Sequence, residues 1–176
     1  ARALARRGVE TIVLDAAPAL GAGASGNPAG LVMPRLDRGG PLRDVFLAAY
    51  LEAVRTYEAL GDDVFSACGV EQRAEARNAE ALEDLLNDPP LPNDWLGGLA
   101  HGVALHARAG VVRPVEVLRA FLRGATLLLD APVAALERAG EGWTLRAPDG
   151  RALLKADAVV LACGAALKQF APAAFL

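Results

Sequence analysis

The residue most suggestive of chemistry is an acid, Asp15, at the carboxyl end of the run VETIVLD over residues 9–15. The run is rich in β-branched residues and nearly continuous in apolar ones, which predicts a short buried strand. The octet before it, ARALARRG, has the character of a helix end. It holds strong helix formers, Arg6 and Arg7 to complement the negative end of the dipole, and Gly8 where a stop belongs. Helix, glycine, strand is the second half of a βαβ unit. In such a unit an acid at the end of the second strand accepts hydrogen bonds from both hydroxyls of an adenosine ribose. The glycine-rich phosphate turn that partners it lies roughly twenty or more residues earlier. Only 14 residues precede Asp15, so that turn is expected upstream of Ala1, and the chain reads as a fragment that begins inside a helix. The plain alternative is a strand-end acid with a solvated carboxylate.

Residues 16–30, AAPALGAGASGNPAG, are crowded with small residues and predict a loop or a loop leading into a helix. Around Gly23, Ala24, Ser25, Gly26 and Asn27 the backbone can approach a ligand closely, and Ser25 and Asn27 add donors suited to phosphate or carbonyl oxygens. A flexible connector has the same composition. Cys163 and Gly164, at the end of an apolar run, allow a similar close approach, although a cysteine there also reads as a small buried hydrophobe. His101 and His106 have no nearby carboxylates with ligand spacing, so surface or core histidines are expected and no metal. Arg2, Arg6 and Arg7 read as a solvated helix face, and Trp95 and Trp143 as packing residues. Arg35, just after the glycine-rich segment, is a candidate carboxylate clamp or simply a surface arginine. No Ser-His-Asp or Cys-His arrangement can be assembled.

The elements that must position these residues follow from periodicity. A helix is predicted from Pro41 to about Leu60, with Pro41 at its first position. Leu42, Val45, Phe46, Ala49, Val54 and Tyr57 form its apolar stripe. A second helix starts at Asn78 as cap and carries Leu82, Leu85 and Leu86 before the proline-rich stretch 87–92 ends it. Residues 93–112 are weakly patterned loop and strand. A third helix has Pro114 at its first position and Gly124 as its stop, and 126–129 is a short strand. Residues 133–138, 143–147 and 151–154 read as an antiparallel meander joined by AGEG and by PDG, where Pro presets φ and Gly150 supplies φ > 0. Residues 157–163, DAVVLAC, predict another buried strand.

Composition sets the outer bounds. The 176 residues are 53% apolar, and 38 are alanine, so the apolar fraction leans on small side chains, yet Leu and Val still suffice for a core. Arginine outnumbers lysine 16 to 2, a bias of the kind a GC-rich genome produces. A net charge of −3 excludes a strongly basic nucleic-acid module, although not a local basic face. Two distant cysteines indicate neither a zinc cage nor a disulfide framework. The absence of a long apolar run or signal peptide points to a cytoplasmic protein with no membrane partner.

The order of these features resembles the D-amino-acid-oxidase superfamily of FAD-dependent oxidoreductases. The quoted segments are ARALARRGVETIVLD, GAGASGNPAG, the helix from Pro41, GVVRPVEVLRAFL, the meander and ADAVVLACG. They cover nearly the whole chain, with residues 62–110 contributing least. Within the superfamily, ASGNPAGLVMPRLD and VVLACGAALKQF look most like the FAD domain of the bifunctional tRNA 5-methylaminomethyl-2-thiouridine biosynthesis proteins.

The resemblance implies an α/β fold. It would be an incomplete Rossmann-like FAD-binding domain over 1–40 and 111–176, with a parallel sheet and antiparallel β-meander in three layers. Part of a discontinuous α+β substrate domain would occupy 41–110. By this likeness Asp15 matches the ribose-binding acid, where most relatives have Glu. Ala24, Ser25, Gly26 and Asn27 match the segment passing the pyrophosphate and approaching the flavin. Val133 matches the residue whose backbone meets adenine, and Cys163 and Gly164 match the turn beside the cofactor. The implied reaction is oxidation of an amine C–N bond by hydride transfer to FAD, followed by imine hydrolysis. The implied substrate is a carboxymethylaminomethyl uridine at the tRNA wobble position. A free amino-acid or sarcosine-type oxidase and a non-catalytic nucleotide-fold binding module are the rival expectations. Without the first strand and its glycine turn, the chain alone is expected to hold FAD weakly or not at all. The resemblance names no catalytic side chain.

Overall fold

The computed structural model describes residues 1–34 and 42–170. In chain order the elements are α1 (Arg2–Ala5), β1 (Ile12–Leu14), β2 (Gly30–Val32), α2 (Arg43–Glu58), β3 (Phe65–Ser66) and β4 (Val70–Arg73). There follow α3 (Ala79–Asn87), β5 (Leu96–Ala100), β6 (Val103–His106), β7 (Gly110–Val112), α4 (Pro114–Leu122), β8 (Thr126–Leu128), β9 (Ala135–Ala139), β10 (Gly142–Arg146) and β11 (Ala152–Ala156). The fold is mixed α/β, with one parallel strand pair and three antiparallel sheets among the described residues. The chain divides into two compact units, one made of Ala1–Ala22 and the chain from Leu122 onward, the other of Gly23–Phe121. Pro41 and Arg35 lie outside the described residues.

In the first unit, α1 closes as its sequence predicts: Gly8 N–H donates to the Ala5 carbonyl and Val9 N–H to that of Leu4. The chain then enters β1, which pairs in parallel with β8, Ile12 opposite Thr126 and Leu14 opposite Leu128. The strand predicted over 9–15 is therefore shorter, and it is half-buried rather than buried. The meander β9–β10–β11 forms as predicted, with β10 in the middle. Its PDG turn is closed by Gly150 N–H to the Ala147 carbonyl, and Gly150 sits at φ +84°, where a side chain would be strained. Leu145 and Thr144 of β10 are buried with Ala131 and Ala147.

One strand expectation fails outright. Residues 158–163 form no strand, and Val160 is 81% exposed. A strand exists only through a ladder to a neighbour, and among the described residues none lies alongside this segment. The apolar composition that suggested burial on both faces is present without the partners that would provide it.

The second unit holds the larger core. Tyr50, Val54, Val64, Phe65, Leu91, Val112 and Val117 are buried together, with Leu47, Leu51 and Tyr57 packed against them. This corrects the predicted stripe of α2. Its buried face runs through 47, 50, 51, 54 and 57, whereas Leu42, Val45, Phe46 and Ala49 are exposed. Both sets have helical spacing, so periodicity alone did not choose between them. The α3 helix starts after Asn78 as expected, although the Asn78 side chain makes no capping bond and a 3-10 turn at Ala76–Asn78 leads in. Residues 93–112, weakly patterned in sequence, supply β5, β6 and β7 to two antiparallel sheets, β2–β7–β3 and β4–β6–β5. Gly110 makes the first of these possible: a Cβ there would sit 1.9 Å from the Ser66 carbonyl oxygen.

Candidate functional site

The carboxyl ends of β1 and β8 meet at Asp15. Its N–H donates to the Leu128 carbonyl at 2.9 Å, and its own carbonyl accepts from Ala131 N–H at 3.0 Å. Its side chain is exposed, and Oδ1 accepts from Ala17 N–H at 2.9 Å, a turn that holds the carboxylate at the strand end. An ionised carboxylate has about four acceptor positions, so this bond leaves capacity for a diol. The two chain segments that leave this point are tied again by Asp130 N–H to the Ala17 carbonyl at 3.0 Å.

Val133 follows two residues after Ala131, which brings its backbone to the same strand ends. It is not in a strand, contrary to the sequence expectation, because β9 begins at Ala135 and the bond from Ala134 N–H to the Arg146 carbonyl is where pairing starts. Its own N–H and carbonyl take no part in that ladder. Asp15 and the Val133 segment are thus brought together in the first unit.

Cys163 and Gly164 also belong to the first unit, but no hydrogen bond ties them to Asp15 or Val133 among the described residues. Cys163 is exposed, not the small buried hydrophobe its setting suggested. It precedes a 3-10 helix, Gly164–Gln169, and Ala166 N–H donates to its carbonyl at 3.1 Å.

Ala24, Ser25, Gly26 and Asn27 fall in the second unit. Ala24–Gly26 is a single 3-10 turn. It uses the N–H groups of Gly26 and Asn27, bonded to the Gly23 and Ala24 carbonyls, while the Ala24 and Ser25 N–H groups at its start make no turn bond. A Cβ at Gly23 would meet nothing within 4 Å, so the backbone is open to close approach. Residues 21–26, GAGASG, spell G-x-G-x-x-G, a signal the spacing argument from Asp15 passed over. It lacks the required context: β2 follows the turn instead of a helix whose N-terminus would bind a pyrophosphate.

Sequence reasoning missed two polar arrangements in the second unit. His106, fully buried in β6, has Nε2 2.7 Å from Oε1 of Gln72 in β4, and its Nδ1 is buried without a partner among the described residues. Burial holds its pKa below the ordinary 6.5. Arg108 bonds Glu58 and lies over the Trp95 ring, 5.5 Å from its centroid, while Trp95 meets Tyr50 edge to face at 5.9 Å. The Tyr50 hydroxyl is pushed up to about 12 chiefly by burial, with Glu58 acting in the same direction and Arg108 against it. The hydrogen-bonded partners, Gln72 with His106 and Glu58 with Arg108, stand 34 and 50 residues apart, beyond the reach of any local pattern. His101 pairs at the surface with Glu83 at 3.3 Å. No group of three potential metal ligands occurs among the described residues, and no described helix is long and apolar enough to cross a membrane.

The family model described as FAD dependent oxidoreductase (DAO) matches residues 1–175. The tRNA 5-methylaminomethyl-2-thiouridine biosynthesis bifunctional protein MnmC of Thiobacillus denitrificans is 37% identical over 180 residues, covering 92% of this chain and 29% of that protein. Its counterpart in Pseudomonas aeruginosa is 35% identical over 195 residues, covering 100% of this chain and 29% of that protein. Among solved structures, glycine oxidase from Geobacillus kaustophilus aligns with a TM-score of 0.65 at 19% identity, over 94% of this chain and 52% of that one. Fructosamine oxidase from Aspergillus fumigatus aligns with a TM-score of 0.65 at 18% identity, over 97% and 47%. The chain therefore spans under a third of the curated relatives it matches and about half of these structures. It belongs to the DAO family of FAD dependent oxidoreductases.

Proposed function

We propose that this chain is part of a flavoenzyme that oxidises the C–N bond of a secondary amine, and that the amine is the carboxymethylaminomethyl group of a wobble uridine in tRNA. The observation that carries the reading is the 35–37% identity to the MnmC proteins across at least 92% of the chain. The chemistry of the residues fits FAD. In the first unit the Asp15 carboxylate would accept hydrogen bonds from the two ribose hydroxyls, the backbone of Val133, outside the β9–β10 ladder, would meet the adenine edge, and Cys163 and Gly164 would form the turn beside the cofactor. In the second unit the first N–H groups of the 24–27 turn, with Ser25 and Asn27, would serve the pyrophosphate and flavin side. Residues 1–40 and 111–176 then serve the cofactor and 41–110 the substrate side, in the cytoplasm where tRNA is found.

FAD, when bound, supplies the hydride acceptor; the protein's share is to hold and orient it against the amine. Oxidation at the carboxymethyl carbon gives an imine, and its hydrolysis leaves the aminomethyl uridine and glyoxylate. The net charge of −3 is the one feature favouring a free small amine over an RNA. Anaerobic mixing of the flavin-loaded holoenzyme with undermodified tRNA, and separately with glycine or sarcosine, tests the choice. Bleaching of the flavin band by tRNA is expected; bleaching by glycine or sarcosine but not by tRNA contradicts the tRNA substrate.

A further inference from the structure

The charges of this acidic chain are unevenly neutralised. Arg73, Arg77, Arg108, Arg119, Arg146 and Arg151 each have a carboxylate partner, and Arg138 lies over the Trp143 ring. Of the remaining described arginines, which have no ion-pair partner among the described residues, Arg43, Arg55 and Arg113 lie in the second unit and Arg2, Arg6, Arg7 and Arg123 in the first. The latter four come from two segments in direct contact, α1 with the residues just after it and the turn after α4. A Cβ on Gly124 would stand 3.0 Å from that of Ala5, and Thr126 N–H donates to the Thr11 carbonyl at 2.9 Å. Arg6, Arg7 and Arg123 are exposed. Glu10, the acid nearest in sequence to α1, is exposed and pairs with none of them.

Four guanidinium groups without internal partners, on a chain of net charge −3, make a local anion-binding surface that the overall charge conceals. We infer that Arg2, Arg6, Arg7 and Arg123 form a docking surface for the phosphate backbone of tRNA. This rests on the tRNA reading above and adds where the body of the RNA is held. The surface precedes β1, whereas Asp15 follows it. The arginines and Asp15 thus lie at opposite ends of β1, the arginines on the side away from the strand end where the acid stands. The arginines therefore act on affinity for the whole RNA and not on the reacting group. Guanidinium suits this task because its planar fork matches phosphate oxygens.

The test compares wild-type holoenzyme with R6E/R7E, R6K/R7K and R123E, all exposed positions, with flavin content and circular dichroism as checks on folding. The readouts are tRNA affinity across a salt series and anaerobic flavin reduction by the free modified nucleoside. R6E/R7E is expected to weaken tRNA binding at least tenfold near physiological salt. It should also flatten the slope of log affinity against log salt by about 1 to 2, as lost phosphate contacts require. R123E is expected to act in the same direction, R6K/R7K to keep most of the affinity, and nucleoside reduction to be unchanged in all three. Unchanged tRNA affinity and salt slope in both R6E/R7E and R123E overturns the surface while leaving the substrate reading intact if tRNA still bleaches the flavin. Arginine-dependent binding to anionic vesicles or an acidic protein, with tRNA unaffected, overturns it in favour of those partners. A wild-type enzyme that neither binds tRNA nor is reduced by it, yet is reduced by glycine or sarcosine, removes the underlying reading itself.

Discussion

At the scale of single residues, two side chains make opposite demands on water. Asp15 keeps its carboxylate exposed at a strand end, where it accepts a hydrogen bond from Ala17 N–H. A ribose diol bound there makes charge-assisted hydrogen bonds worth about 1.5–3 kcal/mol each. Asp15→Ala is therefore expected to weaken FAD binding by tenfold or more, read by flavin fluorescence quenching, while Asp15→Glu keeps most of it. His106 is the reverse case, a titratable ring wholly inside the second unit. Its neutral form is favoured in the fold by burial, so its contribution to stability is present above about pH 6.5 and is lost as pH falls below that value. Gln72 Oε1 accepts a hydrogen bond from Nε2, which leaves Nδ1 as the site an acid solution must protonate. Urea midpoints measured from pH 7.5 to pH 5 should fall, and should fall less in His106→Gln. Equal slopes in the two proteins would assign the acid sensitivity to other groups. The place of Asp15 at a strand end was legible in the sequence because its signal is local, an acid after a β-branched run. The partner of His106 was not, because the β4–β6 register that brings Gln72 to it joins positions 34 apart.

At the scale of elements, packing decided what periodicity left open. The α2 helix carries two apolar stripes, and the one through Tyr50 and Val54 is the one inside. Val54→Ala removes two methyl groups from a site with no exposure and is expected to cost about 2 kcal/mol. Val45→Ala, at 61% exposure, should cost under about 0.5 kcal/mol, a contrast that chemical denaturation resolves. The β3–β7 pair depends on Gly110. An alanine there meets backbone, not a movable side chain, so Gly110→Ala is expected to destabilise by roughly 1–3 kcal/mol or more. The meander was readable because its turns announce themselves at AGEG and PDG. Residues 158–163 show the opposite: sequence states an apolar strand, but pairing is a property of neighbours, and a strand's own residues do not supply them.

At the scale of the whole chain, the family is carried by the succession of elements more than by any one motif. The GAGASG segment matches a dinucleotide fingerprint letter by letter and lacks the helix that gives the fingerprint its chemistry. The parallel β1–β8 pair with Asp15 at its end and the meander after Val133 both lie within residues 1–175, which the DAO family model matches. What composition concealed is the distribution of charge, since a net −3 coexists with Arg2, Arg6, Arg7 and Arg123, four arginines of the first unit with no ion-pair partner among the described residues.

The most direct test of the proposed chemistry is product stoichiometry in a single anaerobic turnover of the flavin-loaded enzyme with undermodified tRNA. For each flavin reduced, one aminomethyl uridine and one glyoxylate are expected, since oxidation at the carboxymethyl carbon followed by imine hydrolysis allows no other balance. Flavin reduced without glyoxylate, or tRNA recovered unchanged while a free amine bleaches the flavin, would contradict the account.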